Sequence, residues 1–265
     1  MKILKNITVF TLVMLLSVST ILEAREKSVS NFSSSTSNYV DSVGTFDGNK
    51  IYADVANNGL FLDYHVSGDS ALEWPKGTGV HSIFQSALWM GATVNGSIRT
   101  IVGDYTQDMG PGPWGGDPLA AVHRIYKVEK SMLASPLDFA DFQEWPVEFG
   151  APWVDVDGDG VYTPLPGGTD HPEFLGDQVL WFVSNDGDPA YKLNFGTSPL
   201  NVEIQTTMFG FDRPDVFGDM VFLKQLVINY GSDDLVDTYM GLWSDPDLGY
   251  AGDDFVGCDV ALGMG

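Results

Sequence analysis

The chain has 265 residues, 44% of them hydrophobic, with 36 acidic against 13 basic side chains, a formal net charge of -23 and a single cysteine. A negative potential of that size repels nucleic acid and anionic lipid, so neither is an expected partner. One cysteine excludes an intramolecular disulfide, which leaves packing or bound ions to hold the loops.

The chain opens MKILKNITVFTLVMLLSVSTILEA. Lys2 and Lys5 precede an apolar run from Ile7 to Leu22, and Ala24 suits the residue before a cleavage point, so residues 1–24 read as a secretory signal peptide. The unbroken apolar core is short for a bilayer about 30 Å thick. No Cys follows it to carry a lipid, and no later stretch is apolar enough to span a membrane. The protein is therefore expected outside the cell or on its surface. Residues 25–45, rich in Ser, Asn and Thr, read as a flexible leader. Residues 46–265 suffice for one large domain or two closely packed ones, with possible divisions at 103–116 or near Pro146.

From Gly48 onward short apolar or alternating runs are separated by Gly, Asn, Asp and Pro. Strands are expected at 51–55, 59–66, 82–94, 98–104, 122–128, 178–184, 202–211, 220–230 and 236–243. Asn95-Gly96 is a hairpin signal, and the 231–234 segment Gly-Ser-Asp-Asp reads as a second connection of that kind. Both alternating faces of 220–230 are mostly apolar, which points to a central strand. Helical periodicity is confined to 137–145, with Ser135 as N-cap and a stop at Pro146. The pattern predicts an all-β fold, a β-sandwich of jelly-roll or Ig-like kind, with long loops and at most one short helix. The final residues VALGMG carry no turn or cap, so a strand is expected to be cut there and the chain to be a fragment.

The aspartates are clustered. From Asp138 to the end there are 24 acids against three bases, Lys192, Arg213 and Lys224. The segment Asp155-Val-Asp157-Gly-Asp159-Gly160-Val161 has the first-half spacing of an EF-hand-type calcium loop. Alternate carboxylates converge on one centre when the backbone curls, and Gly at the sixth position permits the turn that brings the Val161 carbonyl inward. Converging carboxylates repel one another unless a cation sits among them. The twelfth position, where an EF-hand carries a bidentate Glu, is Pro166, so a distal ligand must come from elsewhere: Asp170 first, Asp177 second. Calcium is the expected ion, as a structural staple; the bland alternative is a solvated Asp/Gly turn. A second, weaker cluster holds Asp245, Asp247, Asp253, Asp254 and Asp259 and fits no single calcium motif.

Other patterns are weaker. The run Gly110-Pro-Gly112-Pro-Trp-Gly115 satisfies GxGxxG literally, but with prolines inside and no helix after it reads as a Pro/Gly loop. His65, His81, His123 and His171 are scattered singly. Cys258 reads as a small buried residue. Four tryptophans adjoin proline, and of these Trp114 and Trp153 are the candidates for stacking on sugar rings. No carboxylate pair stands out as catalytic, and Glu148 or Glu203 would be arbitrary choices.

Two resemblances follow from these residues. The DVDGDG loop is similar to the short DxDxDG calcium loops of thrombospondin type 3 and dockerin modules. The combination of GNKIYADVANNG, SALWMGATVNGSIRT, DVDGDGVYTP, GDQVLWFVSND and LVDTYMGLWSDPD resembles the N-terminal region of large secreted bacterial proteins, many of which carry a sorting domain for type IX secretion. That resemblance implies an extracellular or cell-surface location and no particular activity. The leading expectation is a calcium-stabilised, secreted structural or adhesion-like module without catalysis of its own, meeting glycans or other surface proteins. The alternatives are a carbohydrate-binding module using its loop tryptophans, and a secreted hydrolase with a carboxylate pair.

Overall fold

The computed structural model describes residues 43–65, 67–165, 170–250, 252–255 and 257–263. The segments expected to be a signal peptide and most of a flexible leader, with Val66 and Pro166, lie outside the described residues. In chain order the strands are β1 (Val43–Phe46), β2 (Tyr52–Ala56), β3 (Leu72–Glu73), β4 (His81–Val94), β5 (Ser97–Val102), β6 (Gly110–Pro111) and β7 (Tyr126–Glu129). After the short helix α1 (Ala140–Gln143) come β8 (Trp153–Val154), β9 (His171–Pro172), β10 (Gln178–Asn185), β11 (Val202–Gly210), β12 (Phe222–Asn229) and β13 (Val236–Pro246).

The fold is all-β, and its strand pairs are antiparallel. One sheet runs β1-β2-β3-β4-β13, with β5 also paired to β4; the other runs β12-β11-β10, with β6 and β7 both on the far side of β10. The sheets face each other because one side of each alternating strand is apolar. Leu88, Met90, Ala92 and Val94 of β4 pack against Val202 and Ile204 of β11. Beside them Phe46, Ala53 and Val55 meet Leu180, Phe182 and Met208. Fully burying a side chain of this size contributes about 1.5–3 kcal/mol.

Strand β10 is buried along its whole length. Its second face, Val179, Trp181 and Val183, is covered by Phe142 of α1, Trp145 and Ala151. That third layer of helix and loop carries the acidic segment.

The Asn95-Gly96 hairpin joins β4 to β5 with both residues at positive φ, as a two-residue turn requires. Several sequence expectations are corrected. Residues 59–65 form a loop rather than a strand, with an isolated bridge from Leu62 to Ser86, because Asn57 and Asn58 are buried and Gly59 turns with φ +90. The 122–128 run splits into a 3-10 turn, Ala121–His123, and β7. The 137–145 helix breaks at Phe139, which is extended, into a 3-10 turn and α1. Among the described residues strand β12 is an edge, not a centre; on its outer face Phe222 is shielded by Phe209, Phe211 and Phe217, whereas Leu226 is left exposed. The 231–234 segment crosses between sheets instead of closing a hairpin: Tyr230 and Gly231 donate to the Asn201 carbonyl, and the chain then joins β13 to β4.

Candidate metal centre

The acidic loop is placed by a two-residue ladder. Pairing of Trp153 with Pro172 and of Val154 with His171 sets Asp155 and Asp170 beside each other at the ladder's end. The anchor on the core side is aromatic: Trp153 meets the Tyr162 ring edge-on at 5.6 Å, and the Tyr162 hydroxyl donates to the Phe142 carbonyl at 2.6 Å. Burial pushes the Tyr162 pKa far up, with the Asp170 charge adding to it, so this hydroxyl stays a donor.

Within the loop, backbone amides hold each carboxylate inward. Asp155 accepts from Gly158 at 2.6 Å and from Gly160 at 2.9 Å through different oxygens. Asp157 accepts from the Asp159 amide at 3.2 Å, and Asp159 from the Val161 amide at 2.7 Å. Gly158 and Gly160 both have φ +77, a conformation an L side chain resists. Asp170 is 1% exposed and accepts from Val156 at 2.9 Å and Thr163 at 2.7 Å.

The result is four carboxylates, Asp155, Asp157, Asp159 and Asp170, each offering an oxygen within 4.8 Å of the others. These residues could hold a metal ion. Among the described residues none of the four forms an ion pair with Lys, Arg or His. At Asp157 the Asp159 amide lowers the pKa, but desolvation and the charges of Asp159, Asp170 and Asp155 outweigh it and the net shift is upward. A donor set made only of oxygen selects a hard cation over zinc or copper.

All four carboxylates belong to the set read from the sequence, including the out-of-loop Asp170. The alternative, Asp177, is elsewhere: it accepts from the Asp212 amide at 2.9 Å. The Val161 carbonyl accepts from the Thr163 hydroxyl at 3.4 Å. The second acidic cluster is not drawn together among the described residues. Asp245 accepts from the Tyr105 hydroxyl at 2.8 Å, Asp254 from the Leu248 amide at 2.9 Å, and Asp259 from the amides of Ala261 and Leu262. Asp247 takes the Ser70 hydroxyl at 3.4 Å. Cys258 is exposed, not buried as the sequence implied.

One polar cluster was not legible in advance. The Lys192 ammonium is buried 2.9 Å from Asp108 and 3.7 Å from Asp186. It ties two loops together, and residues so far apart in sequence leave no local pattern. Burial raises the Asp186 pKa, against the amides of Val202 and Leu200 and the Lys192 charge, which lower it.

Fold and site together define an all-β protein with two main sheets and a surface four-carboxylate centre beside the small β8–β9 ladder. Set against protein-family profiles, curated proteins and solved structures, the chain shows no significant match.

Proposed function

We propose that this chain is a calcium-stabilised β-sandwich module of a secreted or cell-surface protein, with a structural or adhesion-like role and no catalysis of its own. The observation that supports it best is the convergence of four carboxylates, one of them buried, with no basic side chain paired to any of them among the described residues. A buried, unpaired carboxylate is costly, and a divalent cation turns that cost into attraction. Calcium fits better than magnesium because it takes several carboxylates in irregular geometry, whereas magnesium keeps most of its water. The export pattern of residues 1–24 supports the location, and so does the resemblance to secreted bacterial proteins. Extracellular modules bind calcium at about 0.1–1 mM, which the medium outside a cell supplies.

Isothermal titration with calcium tests the reading. One site per chain is expected, lost in the Asp155→Asn/Asp157→Asn variant. Absence of calcium binding at millimolar concentration would remove the basis of the proposal.

A further inference from the structure

A second feature lies among the loops at the β6 end of the sandwich. A half-open cavity of about 330 Å³ is walled by Trp114, Tyr191, Pro111, Pro118, Pro189 and Asp188. Its size is within the ~300–1,000 Å³ typical of small-molecule sites. Gly110, in the Gly110–Gly116 run, and Gly187 are explained here by close approach and not by phosphate binding. A Cβ on Gly110 would lie 2.8 Å from the Tyr191 ring, and one on Gly187 would lie 2.7 Å from the Trp114 indole nitrogen. Only glycine lets both rings sit this close to the backbone.

The walls are fixed before any ligand arrives. The Asn185 side-chain amide donates to the carbonyls of Gly112 at 2.9 Å and Pro113 at 3.2 Å, and its oxygen accepts from the Gly187 amide at 3.0 Å. The Trp114 amide donates to the buried Glu203 carboxylate at 2.9 Å, and its ring lies parallel to Tyr230 at 5.5 Å. Trp114 is nonetheless 41% exposed, and its indole N–H has no hydrogen-bond partner among the described residues. Asp188 uses one oxygen to cap the following turn at the Ala190 amide, 2.9 Å away, which leaves its second oxygen to solvent.

We infer that this cavity binds a neutral saccharide unit, a pyranose ring seated against Trp114 and Tyr191. Ring faces and proline C–H surfaces match the C–H faces of a sugar, while the indole N–H and the Asp188 carboxylate supply one donor and one acceptor for its hydroxyls. The acidic surroundings disfavour phosphates and carboxylates. A quaternary ammonium is the competing occupant of an aromatic, acidic pocket. An indole N–H without a partner among the described residues suits a hydroxyl oxygen and opposes a cation. Pre-organised walls lower the ordering cost of binding. The inference is independent of the calcium reading and survives its failure.

Saturation-transfer NMR and tryptophan fluorescence test it on the intact protein, with the methyl pyranosides of glucose, galactose, mannose and N-acetylglucosamine as probes and choline as the cationic comparison. At least one pyranoside is expected to bind, with Kd on the order of 1 mM. Trp114→Ala and Asp188→Asn are each expected to weaken it at least tenfold, and Trp153→Ala to leave it unchanged. Asp188→Asn keeps the cap on Ala190, so it serves if loss of the Trp114 stack unfolds the loop. Binding of choline alone, no binding by any pyranoside of the panel, or wild-type affinity in the Asp188→Asn variant would overturn the inference.

Discussion

Asp170 is 1% exposed and each of its oxygens takes a backbone amide, from Val156 and from Thr163, so its position is fixed from both sides of the acidic loop. Removing its charge takes away the one carboxylate of the group that solvent does not share. Asp170→Asn is expected to lower calcium affinity by more than tenfold in a titration, whereas Asp177→Asn, whose carboxylate serves the Asp212 amide, leaves affinity unchanged. At Lys192 the stakes are structural. Lys192→Met leaves Asp108 and Asp186 buried without a counter-charge, and the expected cost in urea unfolding is about 3–5 kcal/mol. Asp219 gives a pH-dependent case. The hydrogen bond from Lys50, then that from the Trp74 indole, holds its pKa below the ordinary 3.8. A depressed carboxylate pKa contributes stability that is complete above the unfolded value and is lost as pH falls through the lower folded value. Lys50→Met is expected to return the Asp219 pKa toward 3.8 in a carboxyl NMR titration; an unmoved value would show that the ion pair does not set it.

Among the elements, the β8–β9 ladder is too short to persist unaided: a two-stranded pairing of two residues each has little stability in water. It is supported on the core side by Trp145, whose indole donates to the Pro152 carbonyl at 3.0 Å, and by the Tyr162 hydroxyl on Phe142. Its outer end is the carboxylate group. Chelation of calcium is therefore expected to speed amide hydrogen exchange at Val156, Gly158, Gly160 and Thr163 while β10 and β11 keep their protection. Uniform change across both regions would mean that the ion acts on the whole fold and not on this ladder. The same scale shows what the sequence made legible. Asp155, Asp157, Asp159 and the two glycines are a local pattern, and the turn at Asn95-Gly96 is another; both depend on a few adjacent residues. The edge position of β12 could not be read that way, because the aromatic shield on Phe222 comes from Phe209, Phe211 and Phe217 in separate segments. Nor could the loop at 59–65, whose apolar run Leu60-Phe61-Leu62 looks like a strand but is buried beside the sheet through a single bridge at Leu62.

At the scale of the whole molecule, two facing sheets supply the core, and a helix-and-loop layer over β10 carries an acidic centre on a chain of net charge -23. No helix among the described residues is long and apolar enough to cross a membrane. A cation that binds only the folded state adds stability by mass action, about 2.7 kcal/mol at a hundred times Kd. For a domain of this size that corresponds to a rise in Tm of roughly 5–11 °C. General screening of so acidic a protein also raises stability, so the comparison must hold ionic strength fixed. The most direct measurement is calorimetric melting in calcium, in magnesium of equal ionic strength and in EDTA, for the wild type and for Asp155→Asn/Asp157→Asn. A Tm that rises with calcium beyond the magnesium value, in the wild type and not in the variant, is the expected result. Equal melting of the wild type in calcium and EDTA, with no calcium retained by elemental analysis, would contradict a calcium-stapled fold.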